Sequence, residues 1–320
     1  MLKPSGKISE APARLSGRTE GRIMKKERMK ISEKQTRRQF LQVASIGAAA
    51  SLAGASGCLG QDKLPAGEEQ DSHKPTNKKQ LKLGLASYTL RKFKLDEVLV
   101  MTQRVGLKYI CLKSFHLPLE SSADQIHQAA AKVKEAALVL YGGGVIYMNS
   151  EAEVNRVFEY ARLAGMTTIV GVPKPEFLGL VNKKVQQYDI KMAIHNHGPG
   201  DKVYPTPASA YERIKGLDRR IGLCNDIGHT QRAGVDPSES AERFADRLLD
   251  VHIKDVSAAK PQGRTVEIGR GVIDVPKFVR TLLKLRYAGI VSFEHEKDEN
   301  NPLPGLAESV GYVRGVLAAI

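Results

Sequence analysis

From Leu81 to the carboxyl end the chain repeats one pattern eight times: a short apolar run, then an amphipathic stretch roughly twice as long. Apolar runs separated by helical patterns predict repeated βα units and a parallel sheet, because parallel neighbours need a crossover long enough for a helix. The expected strands are 82–87, 108–113, 138–142, 167–172, 190–195, 221–225, 249–254 and 289–294. The expected helices are 96–105, 122–136, 151–164, 177–187, 208–216, 238–247, 274–286 and 306–318. Ser150 before EAEV and Asp274 before VPKF read as helix starts, the second with proline in the first turn. Eight such units in a single domain over 81–320 fit a closed (β/α)8 TIM barrel. An open doubly wound sheet is the alternative, since a sequence does not display closure. The Gly142-Gly143-Gly144 run after the third expected strand reads as a tight turn, not as a phosphate cradle.

Residues 1–58 carry a different signal. The run TRRQFLQ at 36–42, with paired Arg37 and Arg38, precedes an uncharged stretch rich in Ala, Gly and Ser that ends in Ala55-Ser56-Gly57-Cys58. This resembles a twin-arginine export signal closed by a lipoprotein cleavage box. It implies recognition by the twin-arginine machinery, a lipid anchor on Cys58 and a periplasmic location. Residues 59–80 have little apolar content and mixed charge, the composition of a flexible tether. The formal net charge of +14 is concentrated in the leader, where 12 Lys/Arg face 4 Glu, so +6 remains for 59–320. Without a basic cluster interleaved with aromatics, that residue of charge gives no reason to expect nucleic acid as a partner. Cys111 and Cys224 lie in apolar runs and read as buried, inert thiols.

In a barrel the active site forms where the strands end, so polar residues that terminate apolar runs are the ones to collect. The fifth expected strand ends in His195-Asn196-His197, the sixth leads into Asp226 and His229, the seventh carries His252, Lys254 and Asp255, and the eighth ends in Glu294-His295-Glu296. Side chains alternate along a strand. If Ile194, Val251, Ile253 and Phe293 face the helices, then His195, His252 and Glu294 face the axis, with Asp226 beside them. Two imidazoles and two carboxylates make a nitrogen and oxygen donor set suited to one divalent metal ion such as Mn²⁺, Zn²⁺ or Co²⁺. His197, His229 and Glu296 are candidates to support these ligands or bind substrate.

The motifs IHNHGPGDKVYPTP (194–207), IGLCNDIGHTQRAG (221–234), DVHIKD (250–255), EIGRGVID (267–274) and FEHEKD (293–298) together resemble the xylose isomerase-like TIM barrel family, also described as sugar phosphate isomerase/epimerase. The resemblance implies a divalent ion held by Glu, Asp, His and Glu on the fifth to eighth strands. Three of these map to Asp226, His252 and Glu294, and His195 stands where the first Glu is expected. The resemblance also implies an isomerase or epimerase that removes a proton next to a carbonyl of a small carbohydrate substrate. In such an enzyme Glu294 carries one proton, and His195, an imidazole of ordinary pKa, Lys254 or a metal-bound water takes the role of the missing carboxylate. A lyase or hydratase acting on 3-keto-glycosides is the alternative within the family, and an exported location favours it. A non-catalytic carbohydrate-binding lipoprotein is the alternative outside enzymes. Lys113, His116, Arg232 and Arg270 complete the candidate substrate contacts.

Overall fold

The computed structural model describes residues 80–320. The twin-arginine leader, Cys58 and all of the expected tether except Gln80 lie outside the described residues. The barrel strands are β1 (Lys82–Ala86), β2 (Tyr109–Leu112), β3 (Val139–Met148), β4 (Thr168–Pro173), β5 (Lys191–His195), β6 (Ile221–Asp226), β7 (Leu248–Ile253) and β10 (Ile290–Phe293). Their order is β1-β10-β7-β6-β5-β4-β3-β2, all parallel, and β1 pairs with both β10 and β2. The sheet is therefore a closed eight-stranded barrel, and the open alternative is excluded.

Helices lie between the strands where the amphipathic pattern puts them, and their starts follow from local chemistry. Ser122 and Gln125 form a reciprocal capping box, Ser150 accepts from the amide of Glu153, and Asp236 and Asp274 each cap a helix with proline in its first turn. Each cap satisfies amides that a helix start leaves without intrahelical partners. One face of each helix is buried against the barrel, for example Val154, Val157, Phe158 and Ala161 on Glu151–Leu163.

Three local features differ from the sequence reading. The Gly142-Gly143-Gly144 run is not a turn but the middle of β3, which continues to Met148 and bulges between Gly144 and Ile146. A Cβ at Gly142 would lie 2.8 Å from the Thr168 carbonyl oxygen, and one at Gly144 would lie 2.1 Å from that of Val170. The glycines let β3 pass its neighbour at close range. A short helix, Ile227–Arg232, follows β6, started by Asp226, whose side chain accepts from the amide of His229. A two-stranded antiparallel ribbon, β8 (Asp255–Val256) with β9 (Thr265–Val266), follows β7.

At the amino ends of the strands, Arg247 fastens the start of β6 to the turn before β7. Its guanidinium donates to the carbonyls of Asp218 and Ile221, both at 2.8 Å, and to those of Lys215 at 3.0 Å and Leu217 at 2.8 Å. Its side chain is 5% exposed, so removing it strands several buried carbonyls. Arg247→Ala is expected to lower the unfolding free energy by about 3 kcal/mol, and Arg247→Lys to recover only part of that, because an ammonium lacks the planar fork. Urea unfolding of the variants measures this; an unchanged midpoint for Arg247→Ala would contradict it.

Candidate functional site

The carboxyl ends of β5, β6, β7 and β10 are adjacent in the barrel and converge on one cluster. The pairing registers bring His195 beside Cys224, Asp226 beside His252, and His252 beside Ser292. One donor atom each from His195, Asp226, His252 and Glu294 lies within 4.8 Å of every other. All four side chains are buried. The alternation of side chains thus turns the expected faces to the axis, with Val251, Ile253 and Phe293 packed in the apolar core.

Lys254 runs into this cluster. Its Nζ lies 2.7 Å from Glu294 Oε2 and 2.9 Å from Asp226 Oδ2, and it also contacts Glu296. Gly228 makes room for the lysine stem, since a Cβ there would lie 2.4 Å from Lys254 Cγ. Asp226 has a divided role: Oδ1 caps the helix after β6, whereas Oδ2 faces Lys254 and, at 3.3 Å, His195 Nε2. Asn196 holds the Asp226 backbone from both sides, accepting from its amide at 3.0 Å and donating to its carbonyl at 3.4 Å.

The charges follow from these contacts. Burial pushes the Asp226 and Glu294 carboxyls up, but His229 and Lys254 around Asp226, and Lys254 and His252 around Glu294, hold both well below the usual carboxylate range. Burial pushes Lys254 down, and Asp226, Glu294 and Glu296 more than reverse this, so the ammonium stays charged. His195 behaves differently. Burial outweighs the pull of Asp226 and leaves its pKa at about 3. The expectation of an imidazole with an ordinary pKa at this position is therefore corrected: the ring is neutral throughout the range in which free histidine titrates.

Buried nitrogens without partners are the property a metal ligand set needs; His195 is neutral, and His252, whose pKa burial lowers but Glu294 raises more, would give up a proton to a bound cation. Both ring nitrogens of His195 and Nε2 of His252 are buried with no hydrogen-bond partner, the 3.3 Å approach of His195 Nε2 to Asp226 Oδ2 lacking hydrogen-bond geometry, while His252 Nδ1 lies 3.2 Å from Glu294 Oε2. Three carboxylates, Asp226, Glu294 and Glu296, surround a single ammonium. A divalent cation matches this donor set in both charge and chemistry.

The remaining sequence candidates divide into two groups. His197 and His229 belong to the cluster's rim. The His197 ring is 4.5 Å from that of His195 and stacks on Tyr147, whose hydroxyl lies 3.0 Å from His197 Nε2. His229 Nε2 is 4.0 Å from Asp226 Oδ2, and Arg232 reaches His229 and the Pro261 carbonyl. Lys113 donates to the carbonyl of Val145, and its pKa is lowered by burial, with Glu294 opposing.

His116 is fully engaged elsewhere. Its Nε2 contacts two carbonyls, Leu90 and Phe93, each at 3.2 Å, and so must carry the proton, leaving Nδ1 to accept from Ser87 Oγ at 2.8 Å. It latches the loops after β1 and β2 together. Arg270 forms an exposed bidentate pair with Glu308 and makes no contact with the four donors among its hydrogen bonds and ion pairs. Asp255 accepts from the amides of Val256, Gly269, Gly271 and Ile273, so it shapes the loop at 267–273.

One buried carboxylate, Asp250, has no role in the sequence reading. Beneath the cluster, the Tyr141 hydroxyl lies 3.1 Å from Asp250 Oδ2 and 2.7 Å from Ser292 Oγ. Asp250 precedes His252 by two residues on β7. The period-two alternation gives that placement; Tyr141 as its partner across the barrel is a tertiary fact.

Residues 176–316, which carry β5 to β10 and every member of the cluster, match the family model for the xylose isomerase-like TIM barrel. The match spans less than half of the chain. Among curated proteins, the rhizopine catabolism protein MocC of Rhizobium meliloti is 26% identical over 145 residues, 41% of this chain and 44% of that protein. The inosose dehydratase of Geobacillus kaustophilus is 28% identical over 146 residues, 40% of this chain and 45% of the relative. The chain thus matches less than half the length of either relative. The 3-keto-D-glucoside 4-epimerase of E. coli superposes with a TM-score of 0.62 at 16% identity, covering 74% of this chain and 100% of that one, a likeness of fold. The departure from the xylose isomerase-like pattern expected at position 195 stands in the structure, where an imidazole occupies the β5 corner of the cluster.

The Asp250 carboxyl gives a stability signature. Burial pushes its pKa up from 3.8 to about 6. A raised folded-state pKa gives stability that is full below the unfolded value and is lost as pH rises through about 6. Between pH 4.5 and 7.5 the wild type is therefore expected to lose about 2 kcal/mol relative to Asp250→Asn, which cannot ionise. Urea unfolding of both proteins across this range measures it, and parallel pH curves would contradict it.

Proposed function

We propose that the whole barrel is a xylose isomerase-like enzyme that uses one divalent ion to remove a proton next to the carbonyl of a sugar or cyclic polyol. The observation that carries this is the cluster of His195, Asp226, His252 and Glu294, with three of its imidazole nitrogens buried and unpartnered. His195, Asp226, His252 and Glu294 would hold the ion, which would supply Lewis acidity that makes a C–H next to a substrate carbonyl more acidic.

The chain's own residues supply the rest. Glu294 is the base: it is ionised because Lys254 and His252 outweigh its burial, and it lies at the mouth of the barrel. Lys254, kept charged by its carboxylate neighbours, offsets negative charge as it develops on the substrate oxygen. His195, neutral and without hydrogen-bond partners, is a ligand and does not exchange protons. Tyr147, 51% exposed and stacked on His197, and Phe115, 57% exposed beside Tyr88, offer aromatic faces to the apolar side of a sugar ring.

This arrangement supports chemistry with a single carboxylate base. Epimerisation through two opposed carboxylates lacks its second member, because position 195 holds an imidazole. Isomerisation by one base, or abstraction followed by loss of a β-substituent, needs only Glu294 and a path for the leaving group. The similarity to an inosose dehydratase favours the second outcome as the alternative reading. The test is deuterium incorporation at the α-carbon in D₂O, with ketohexoses, 3-keto-glucosides and inosose as substrates. Wild type is expected to exchange, and Glu294→Gln to lose a factor of about 10²–10⁴, the usual contribution of a positioned base. Exchange without elimination identifies the isomerase, and release of the β-group identifies the lyase. Protein that binds both metal and sugar yet exchanges with none of these substrates would leave the non-catalytic binding protein as the correct reading.

A further inference from the structure

The cluster has a floor that the four-donor description omits. Cys224 stands on β6 two residues before Asp226, on the same face, and in register with His195 on β5. Its Sγ and one ring nitrogen from each of His195 and His252 all lie within 4.8 Å of one another. The three side chains are buried. Both nitrogens of His195 and Nε2 of His252 have no hydrogen-bond partner. A buried cysteine in an apolar strand is usually an inert small hydrophobe. Here, however, it lies against unpartnered imidazole nitrogens, which a packing role does not require.

We propose that Cys224 is a further metal-binding residue of this chain, giving His195, His252 and Cys224 a second, softer donor set that shares both histidines with the Asp226–Glu294 level above it. The proposal rests on the reading of the cluster as a metal site and adds which ions it selects. Thiolate and imidazole together favour Zn²⁺, Co²⁺ or Cd²⁺, whereas carboxylates alone suit Mg²⁺ and Mn²⁺. On binding, the S–H bond breaks, a sulfur–metal bond forms and one proton passes to solvent. Cys111, also buried, is not a member: its Sγ lies 4.0 Å from the Gly144 carbonyl oxygen.

The experiment titrates Co²⁺ into the full chain and reads two absorption signals: the visible d–d bands, which report any bound cobalt, and the near-ultraviolet sulfur-to-cobalt band, which reports a thiolate ligand. Wild type, Cys58→Ser and Cys111→Ser are expected to show both. Cys224→Ser should keep the d–d bands, lose the ultraviolet band, and lose at least about tenfold in its preference for Zn²⁺ over Mn²⁺. If Cys224→Ser does not fold, retention of the ultraviolet band in both Cys58→Ser and Cys111→Ser assigns the sulfur by elimination. Visible bands in wild type without the ultraviolet band would overturn the role of Cys224 and leave the metal site standing. No bound cobalt at all would overturn the metal reading, and this inference with it.

Discussion

The contact on which the site depends is the one between the Lys254 ammonium and the carboxylates of Asp226 and Glu294, at 2.9 and 2.7 Å. Taking two carboxylates out of water costs several kcal/mol each unless opposite charge is close and well placed. Lys254 provides that charge from β7's end, and Gly228 leaves the space for its stem. Asn196 fixes the Asp226 backbone, and Asp226 in turn starts the helix at Ile227. The ion pair, the loop and the helix are one unit, so the position of Asp226 Oδ2 is set by backbone as well as by charge. One ammonium does not neutralise three carboxylates. The excess negative charge, next to imidazole nitrogens with no partners, makes a second cation the natural complement.

Much of this was legible in the sequence because it rests on periodicity. Parallel strands of period two, ended by His195, Asp226, His252 and Glu294, place those residues at one end of a barrel once the strands are identified. Closure was not legible, since it depends on β1 meeting β10 across more than two hundred residues of chain, beginning with Lys82 beside Ile290. The glycine run 142–144 was misread because glycine marks turns and also marks strands that pass close to a neighbour. Only the positions of the Thr168 and Val170 carbonyls distinguish the two.

Side-chain partners were the other hidden layer. His116, Arg270 and Asp255 have residue types and loop positions that suit a binding site, yet each is spent on internal contacts: carbonyls for His116, Glu308 for Arg270, loop amides for Asp255. Asp250 shares the axial face of His252 by alternation, but the Tyr141 hydroxyl that reaches it from β3, itself held by Ser292 of β10, is set by the tertiary fold. The ordinary pKa expected for His195 failed for a related reason. Burial depends on what surrounds the ring, and His195 is 2% exposed.

An imidazole at position 195 departs from the carboxylate that the family resemblance implies there, and under the proposed function it leaves Glu294 as the single carboxylate base. That conclusion stands on the four residues holding an ion. Calorimetric titration of Mn²⁺ and Zn²⁺ into the full chain tests it most directly. Wild type is expected to bind one ion per chain. Asp226→Ala and Glu294→Ala are expected to lose more than the roughly 10–100-fold in affinity that removal of an outer partner costs, and Glu308→Ala, on the exposed face, is expected to bind as wild type does. Absence of binding by wild type, or affinities that Asp226→Ala and Glu294→Ala leave unchanged, would contradict the account.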